Sequence, residues 1–383
     1  MPTSVQRTLQ SDAVRQALQA KGWTQKDLAE QVGVSAQSVT NWLKGDDFPR
    51  PDKLLRLATT LRLRLDQLAA ATPAEEALRP VVAFRRRAAT KTTEAHIAKA
   101  LAMGALLEPL VPHLQPLRAL RTAISQPSTA YADLQRAAAQ TREKLGIGPH
   151  AVLEYATLIS EFAANDAFLV PVLWGERQRH DNALHILLPV QRVTFIYLNL
   201  DTYIEDFKFS LAHELGHVYT SALAGTNEGE DFADAFAGAL LFPQPLAAVA
   251  YREAAAAHRK AERVAVLQRH AHEHHISLYT VFREVRAHAA ASGQPALPLD
   301  EKTDIHAVRN ARRGQRVSEI LFDPLPPEPA RYVAAAHSTF GSEFFNALRR
   351  LLKAQGTGPG YVQQLLDISL ADATALHHAL TRG

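Results

Sequence analysis

The chain has 383 residues, 47% of them hydrophobic and 21% charged, which is enough apolar material for two or three domains with their own cores. It contains no cysteine, so disulfides, thiolate zinc fingers and a cysteine nucleophile are excluded, and histidines and carboxylates remain as metal ligands. The net charge of +3 is too small by itself to indicate nucleic-acid binding. No signal peptide and no run of ~20 apolar residues is present, so we expect a cytoplasmic protein.

Residues 11–68 carry apolar side chains at helical spacing in five short groups, separated by turn signals rich in glycine and proline. We therefore predict five short helices in a domain at 1–70. The segment 24–45, TQKDLAEQVGVSAQSVTNWLKG, resembles the helix-turn-helix of the Cro/repressor (XRE) family. Ala29, Gly33, Val39 and Trp42 stand where that motif has small, turn and core residues.

This resemblance implies that the second helix of the pair enters the major groove of a double-stranded DNA operator. Gln and Asn side chains suit adenine, and Ala suits a thymine methyl group. The expected base readers are Ala36, Gln37, Thr40 and Asn41, and the expected phosphate contacts are Gln25 and Lys44. The alternative is a helical bundle that binds protein, because such folds are reused.

An Ala-, Pro- and Glu-rich stretch follows, and we predict a linker over 71–83. The next unit opens with Phe84 and three arginines, a cationic run that is typical of a solvated face, with an extension of the DNA-contacting surface as the alternative. Helices are predicted over 97–120, where three prolines interrupt the pattern, and over 130–145. An amphipathic helix at 153–162 then precedes three short strands, at 168–174, 184–188 and 193–198.

The stretch FSLAHELGH places His213 and His217 four residues apart, so on a helix they share one face and can close on one metal ion. In this HExxH pattern the two imidazoles bind zinc, and the intervening Glu214 takes a proton from the zinc-bound water. Such an arrangement hydrolyses peptides. The apolar residues around the pair predict a buried helix that presents both histidines to a cleft. Two surface histidines that share a face by chance are the alternative.

A catalytic zinc needs a third protein ligand and an open position for water. Glu230 and Asp234 are again four apart, in an apolar segment that continues as a helix until Pro243. We predict Glu230 as the third ligand and Asp234 as the acceptor for the outer N–H of a zinc-bound imidazole. Glu228 and Asp231 stay open as alternatives.

FSLAHELGH followed by ExxxDxFAxxLLFP resembles the ImmA/IrrE metallopeptidases, bacterial zinc proteases of the gluzincin type that cut DNA-binding repressors. The resemblance covers about residues 141–286 and implies Zn2+ on His213, His217 and Glu230, with Glu214 as the general base. The family usually has Asn where Asp234 stands, and the ExxxD here is more similar to thermolysin-type enzymes. In zinc proteases of this kind the substrate pairs as an extra strand along an exposed sheet edge. The sequence leaves open which strand forms that edge.

The chain after Pro243 is predicted to be helical, and its histidine-dense patch at 258–275 is typical of a solvated polar face, with a second metal site as the alternative. Residues 293–329 are rich in proline and charge and are expected to be partly extended or a linker. From 340 to 380 the helical pattern returns, similar to a helix-turn-helix but too weakly to assign a function.

We therefore expect a mainly α protein with a small α+β zincin-like catalytic domain. Its predicted parts are a helix-turn-helix domain at 1–70, a linker at 71–83, a zinc metallopeptidase domain with preceding helices at 84–292 and a C-terminal helical extension at 293–383. The expected function is a DNA-binding zinc endopeptidase that cleaves a repressor or antitoxin-like protein to control transcription or a stress response. The alternative is a repressor or antitoxin whose protease-like domain senses or binds a partner without catalysis. No membrane partner is expected, and a homodimer stays open.

Overall fold

The structure is a computed structural model that describes residues 8–63, 68–70, 80–86, 94–115, 121–174, 181–311 and 314–382. The chain divides into two compact units, Met1–Arg79 and Pro80–Gly383. Helices predominate in both, and the second unit contains a four-stranded mixed sheet. No single helix within these ranges is long and apolar enough to cross a membrane, and one helix pair bent by 71°, Asn227–Leu241 with Gln244–Ala256, meets that test by length and composition.

The first unit contains α1 (Ser11–Lys21), α2 (Gln25–Val32), α3 (Ala36–Lys44) and α4 (Pro51–Leu61), with a short antiparallel pair of β1 (Thr8–Leu9) and β2 (Ala69–Ala70). Helices α1 to α3 end at Gly22, Gly33 and Gly45, whose φ angles of 64°, 71° and 81° lie in the region that favours glycine. The Ser35 hydroxyl caps the start of α3. Four of the five predicted helices are present, and the fifth, around Leu65, lies outside the described residues.

The second unit begins with β3 (Val81–Arg86), α5 (Glu94–Leu107), a 3-10 turn (Glu108–His113), α6 (Tyr131–Lys144) and α7 (Tyr155–Ala164), followed by β4 (Ala167–Val172), β5 (Asp181–Leu188) and β6 (Val193–Asn199). The strand order is β3-β5-β6-β4. Strands β4 and β6 are parallel, whereas β5 runs antiparallel to both β6 and β3. The sequence predicts β4, β5 and β6 but not β3. Residues 81–83, predicted as linker, pair with β5 because valines suit a half-buried strand.

The chain then forms α8 (Ile204–Tyr219), a 3-10 turn (Ser221–Leu223), α9 (Asn227–Leu241), α10 (Gln244–Ala256), α11 (Lys260–Glu273) and α12 (Leu278–Ala291). A π-helical turn (Glu301–His306), α13 (Ala307–Ala311) and α14 (Val317–Leu321) occupy the proline-rich region, so its described residues include short helices. The chain closes with α15 (Pro329–Phe340), α16 (Phe344–Gln355), α17 (Pro359–Leu366) and α18 (Leu370–Arg382).

The sheet separates two apolar cores, because alternate residues of each strand point to opposite faces. One face packs with α7, α8 and α9 and carries Leu169, Ala183, Ile196 and Leu198. The other packs with α5 and α15 to α18 and carries Val170, Leu184, Ile186, Phe195 and Tyr197. The Tyr197 hydroxyl and the Trp174 indole donate to the carbonyls of Leu365 and Leu366, both at 2.9 Å. The C-terminal helices therefore cover the second face of the sheet.

The histidine-dense patch is only partly the solvated face that the sequence predicts. His258, His272 and His275 are exposed, but His270 and His274 are 5% and 7% exposed and pack against the Phe242 ring. Burial lowers the pKa of His274 to about 4. The reason is that one face of α11 packs on the end of α9, which local periodicity does not reveal.

Glu284 of α12 is a buried carboxyl group in this helical layer. It is 6% exposed and packs so closely against Gly238 of α9 that no Cβ fits there. Burial raises its pKa to about 7 from an ordinary 4.5. The group therefore binds its proton more tightly in the folded protein, and its contribution to stability is full below pH 4.5 and is lost as pH rises through 7.

We predict that Glu284→Gln stabilises the protein near pH 8 by roughly 2–3 kcal/mol, because a buried charge is removed. Urea unfolding at pH 5 and pH 8 measures the effect. The advantage of the variant should appear at pH 8 and nearly vanish at pH 5. An advantage that does not depend on pH would contradict the prediction.

Candidate functional site

Helices α8 and α9 meet in close contact at Gly216 and Ala233. A Cβ atom on Gly216 would lie 3.0 Å from the Ala233 Cα atom and 3.2 Å from its Cβ atom. Gly216 lies between His213 and His217 on α8, and Ala233 lies one turn after Glu230 on α9. Two small residues therefore bring the backbones of both candidate ligand-bearing helices close together.

Helix α9 starts in a register that places Glu230 in its first turn. The Thr226 hydroxyl accepts the N–H of Gly229 at 3.0 Å, which is an N-cap. Gly229 packs on the Leu223 carbonyl and leaves no space for a Cβ atom. The Glu230 side chain is 34% exposed, whereas Glu228 is exposed. Glu230 is thus the first-turn acid that faces α8.

The donor atoms of three residues converge between the two helices. His213 Nε2 lies 3.1 Å from His217 Nε2, His217 Nε2 lies 3.2 Å from Glu230 Oε1, and His213 Nε2 lies 3.5 Å from Glu230 Oε2. Tetrahedral ligands about 2.0–2.1 Å from zinc are about 3.3 Å from one another. Within the described ranges, no other cluster of three or more histidines and acidic residues gathers its donor atoms so closely. The spacing therefore fits a tetrahedral metal ion.

The outer nitrogen of His213 faces a carboxylate. Nδ1 lies 2.9 Å from Asp234 Oδ1. Because an ionised carboxylate only accepts, Nδ1 carries the proton and Nε2 keeps a lone pair, which is the form that binds a metal. Arg283 donates to the Asp234 backbone carbonyl at 2.8 Å. His217 differs, since its buried Nδ1 atom has no hydrogen-bond partner.

The charge of Glu230 suits a cation. Burial by itself raises its pKa, but hydrogen bonds and charge interactions with His213 and His217 outweigh that effect and lower the pKa to about 2. Two imidazoles and an ionised carboxylate are ligands that zinc accepts. Donor type, donor number and spacing therefore all fit Zn2+.

Glu214 lies beside this donor group, with His185 of β5 next to it. Both are 1% exposed. His185 Nδ1 is 3.3 Å from Glu214 Oε2, without the alignment of a hydrogen bond, and its ring centroid is 5.4 Å from that of His217. Burial lowers the pKa of His185. Burial raises the pKa of Glu214, but its three neighbouring histidines outweigh this and hold the pKa below its ordinary value.

The sequence does not single out His185 as a site residue. The only local signal is one histidine in the apolar strand segment DNALHILL. A polar side chain in a strand that is buried on both faces requires a partner or a function. Its neighbours, Glu214 and His217, come from a helix that follows later in the chain, so the grouping appears only in three dimensions.

The predicted DNA contacts lie on α2 and α3 of the first unit. Gln37 Nε2 donates to Asn41 Oδ1 at 2.7 Å, and Thr40 Oγ1 donates to Gln25 Oε1 at 3.1 Å, which links the two helices. The exposed members are Gln25, Ala36, Gln37 and Lys44, and the half-buried members are Thr40 and Asn41. Lys44 lies in the last turn of α3, beyond these two pairs.

Comparison with known families identifies the first unit. The helix-turn-helix family profile matches residues 14–68, which span most of α1 and all of α2 to α4. The prediction of an XRE-type helix-turn-helix is confirmed, and the first unit is a DNA-binding domain. The chain matches no curated protein and no solved structure. The candidate metal site in the second unit is therefore supported by its geometry alone.

We predict that the protein binds about one zinc ion per chain and that Glu230→Ala weakens its affinity far more than changes at neighbouring acids do. Asp234→Ala should cost about 10- to 100-fold, because it removes only the partner of a ligand. Competition with a chromophoric chelator measures the affinities, and circular dichroism checks the helical content. His213→Ala is the positive control.

Asp231→Ala is the matched control, because Asp231 is an exposed acid on the same helix and in the next position along the chain. It should leave the affinity almost unchanged. The assignment of Glu230 would be wrong if Asp234→Ala abolished zinc binding while Glu230→Ala preserved it.

Proposed function

We propose that the protein is a DNA-binding zinc endopeptidase that cleaves a repressor or antitoxin-like protein and so controls transcription or a stress response. The observation that supports this function most is the 3.1 to 3.5 Å spacing of the donor atoms of His213, His217 and Glu230 beside the Glu214 carboxylate. The helix-turn-helix domain would bind the protein to DNA. A peptidase held on an operator meets proteins bound to adjacent DNA at a raised effective concentration.

His213, His217 and Glu230 would hold Zn2+ and leave one position open to water or substrate. When bound, the ion supplies Lewis-acid chemistry, lowering the pKa of a water molecule to about 7 and polarising a peptide carbonyl. The protein supplies the ligand geometry. Asp234 keeps His213 in the tautomer that binds metal, and Arg283 in turn fixes the backbone at Asp234.

Glu214 is proposed as the group that moves the proton. A pKa below its ordinary value keeps the carboxylate ionised at neutral pH, so it accepts a proton from the attacking water. The same group then delivers that proton to the leaving amine as the peptide bond breaks. His185 is a positioning residue, because it lies against Glu214 on the side of the sheet and limits the orientations of the carboxylate.

A second candidate function is a DNA-binding repressor or antitoxin whose second unit binds a partner without hydrolysis. The observation in its favour is that Glu214 is only 1% exposed, so the carboxylate is covered in this conformation. The two functions differ in whether Glu214 is needed for the effect on the partner.

We predict that Glu214→Gln keeps the fold and the zinc but loses peptidase activity by at least ~100-fold, because the amide cannot accept the proton. Cleavage of repressors and antitoxins encoded beside the gene, followed by electrophoresis, provides the assay. Glu228→Gln is the matched control, since that exposed glutamate lies outside the donor group. Equal cleavage by wild type and Glu214→Gln would remove Glu214 from the mechanism.

A separate prediction concerns DNA. After selection of an operator from random sequences, Gln37→Ala and Asn41→Ala should each weaken specific binding by roughly 1–3 kcal/mol and leave non-specific binding nearly unchanged. Lys44→Ala is the contrasting variant, which should weaken binding to all sequences and reduce the salt dependence by about one charge. Equal losses on specific and random DNA for Gln37→Ala would rule out base reading by Gln37.

A further inference from the structure

Strand β5 is the strand that lies beside the candidate metal centre, because it carries His185, which contacts Glu214. One side of β5 pairs with β6. The other side pairs with β3 in an antiparallel register that sets Val81 opposite Leu187 and Ala83 opposite His185. Both backbone edges of β5 are therefore occupied by strands of the same chain.

Strand β3 also contacts the turn that joins the two ligand-bearing helices. A Cβ atom on Gly225 would lie 3.1 Å from the Val82 carbonyl oxygen and 3.3 Å from Val81 Cγ1. Gly225 immediately precedes Thr226, whose hydroxyl caps the helix of Glu230. The strand thus lies between β5 and the turn that leads into α9.

An extended peptide binds a sheet by pairing its main chain with an exposed edge strand. Without β3, the outer edge of β5 would be an exposed edge of the sheet, on the strand whose His185 contacts Glu214. In the structure, β3 forms on this edge the same hydrogen-bonded ladder that an antiparallel peptide would form. In the same conformation Glu214 is 1% exposed, although its Oε2 atom has no hydrogen-bond partner. The Glu214 carboxylate is therefore covered in the same conformation in which β3 is paired with β5.

We propose that β3 is a self-inhibitory strand, which occupies the position of a peptide substrate on β5 and must leave before cleavage. This inference rests on the proposed peptidase function. Val81 and Val82 are only half-buried, whereas β6 is buried along its whole length. Because β3 is an edge strand with less buried surface, detaching it requires less free energy than detaching β5 or β6.

The size of the effect follows from the fraction of molecules in which β3 is detached. A minor state of this kind is typically populated at about 0.1–10%. The apparent affinity for substrate is reduced by that fraction. Releasing β3 should therefore raise kcat/KM at least ~10-fold, and fixing it should lower kcat/KM by at least ~10-fold.

A reversible crosslink tests the proposal. The chain has no cysteine, so Val81→Cys with Leu187→Cys introduces a single disulfide between β3 and β5. Paired residues of antiparallel strands have Cα atoms about 4.5–5.5 Å apart, which suits a disulfide. The matched control, Leu187→Cys with Thr194→Cys, joins β5 to β6 instead. The reduced form of each variant controls for folding.

Binding is measured apart from hydrolysis, in full-length protein carrying Glu214→Gln, with a fluorescent peptide of residues 80–86, PVVAFRR, as the probe. We expect the oxidised β3–β5 variant to lose peptide binding and to regain it on reduction, whereas the β5–β6 variant binds in both states. Val82→Asp, which places a charge against the apolar core beneath β3, should raise the peptide affinity at least ~10-fold.

Cleavage is then compared in the same variants with Glu214 restored. Peptide binding that is equal in the oxidised and reduced β3–β5 variants would overturn the inference. A second outcome is that peptide binding is lost on oxidation and regained on reduction, but no variant cleaves any protein. That result would support β3 as a strand that blocks peptide binding and would contradict the proposed hydrolytic function. If the oxidised variant cleaves as fast as the reduced variant, β3 does not block the site.

Discussion

The candidate metal centre depends on the contact between Gly216 and Ala233. An HExxH stretch supplies two ligands from any helix, because residues four apart share a face. The third ligand must come from another helix, and its distance is set by how closely the two backbones approach. A glycine facing an alanine permits an approach at which a single added Cβ atom would already crowd the neighbour. The spacing of the donor atoms therefore depends on the small side chains at positions 216 and 233, which are not themselves candidate metal ligands.

The interior around Glu214 contains several polar atoms without a hydrogen-bond partner. His185 Nε2 and His217 Nδ1 are two of them, and Glu214 Oε2 and His185 Nδ1 face each other at 3.3 Å without hydrogen-bond alignment. A buried polar atom without a hydrogen bond costs about 1–3 kcal/mol, so a group of them is unfavourable for stability. Such a cost is tolerated where the atoms have another use, and here they surround the proposed proton acceptor. The arrangement is better suited to chemistry than to holding the fold together.

Local patterns were sufficient for the features that repeat with helical or strand period. These features are the histidine pair on α8, the acids of α9, the helix-turn-helix and strands β4 to β6, and each follows from spacing within one segment. Features that depend on distant segments were not predictable in this way. His185 is part of the candidate site only because α8 brings Glu214 next to it. Strand β3 forms by pairing with β5, and His270 and His274 are buried because α11 packs on the end of α9. The features that were predicted involve residues close together in the sequence, whereas the features that were missed involve residues far apart in it.

The position of β3 in the chain gives the segment before it a particular importance. β3 is the first strand of the second unit, and the DNA-binding unit ends immediately before it at Arg79. A break in the chain before Pro80 would release the DNA-binding unit and leave β3 paired with β5. A break after Arg86 would leave β3 attached to the departing fragment. If β3 is the inhibitory strand proposed above, two cuts fewer than ten residues apart would have opposite effects: the first would leave the proposed peptidase blocked, and the second would remove the block.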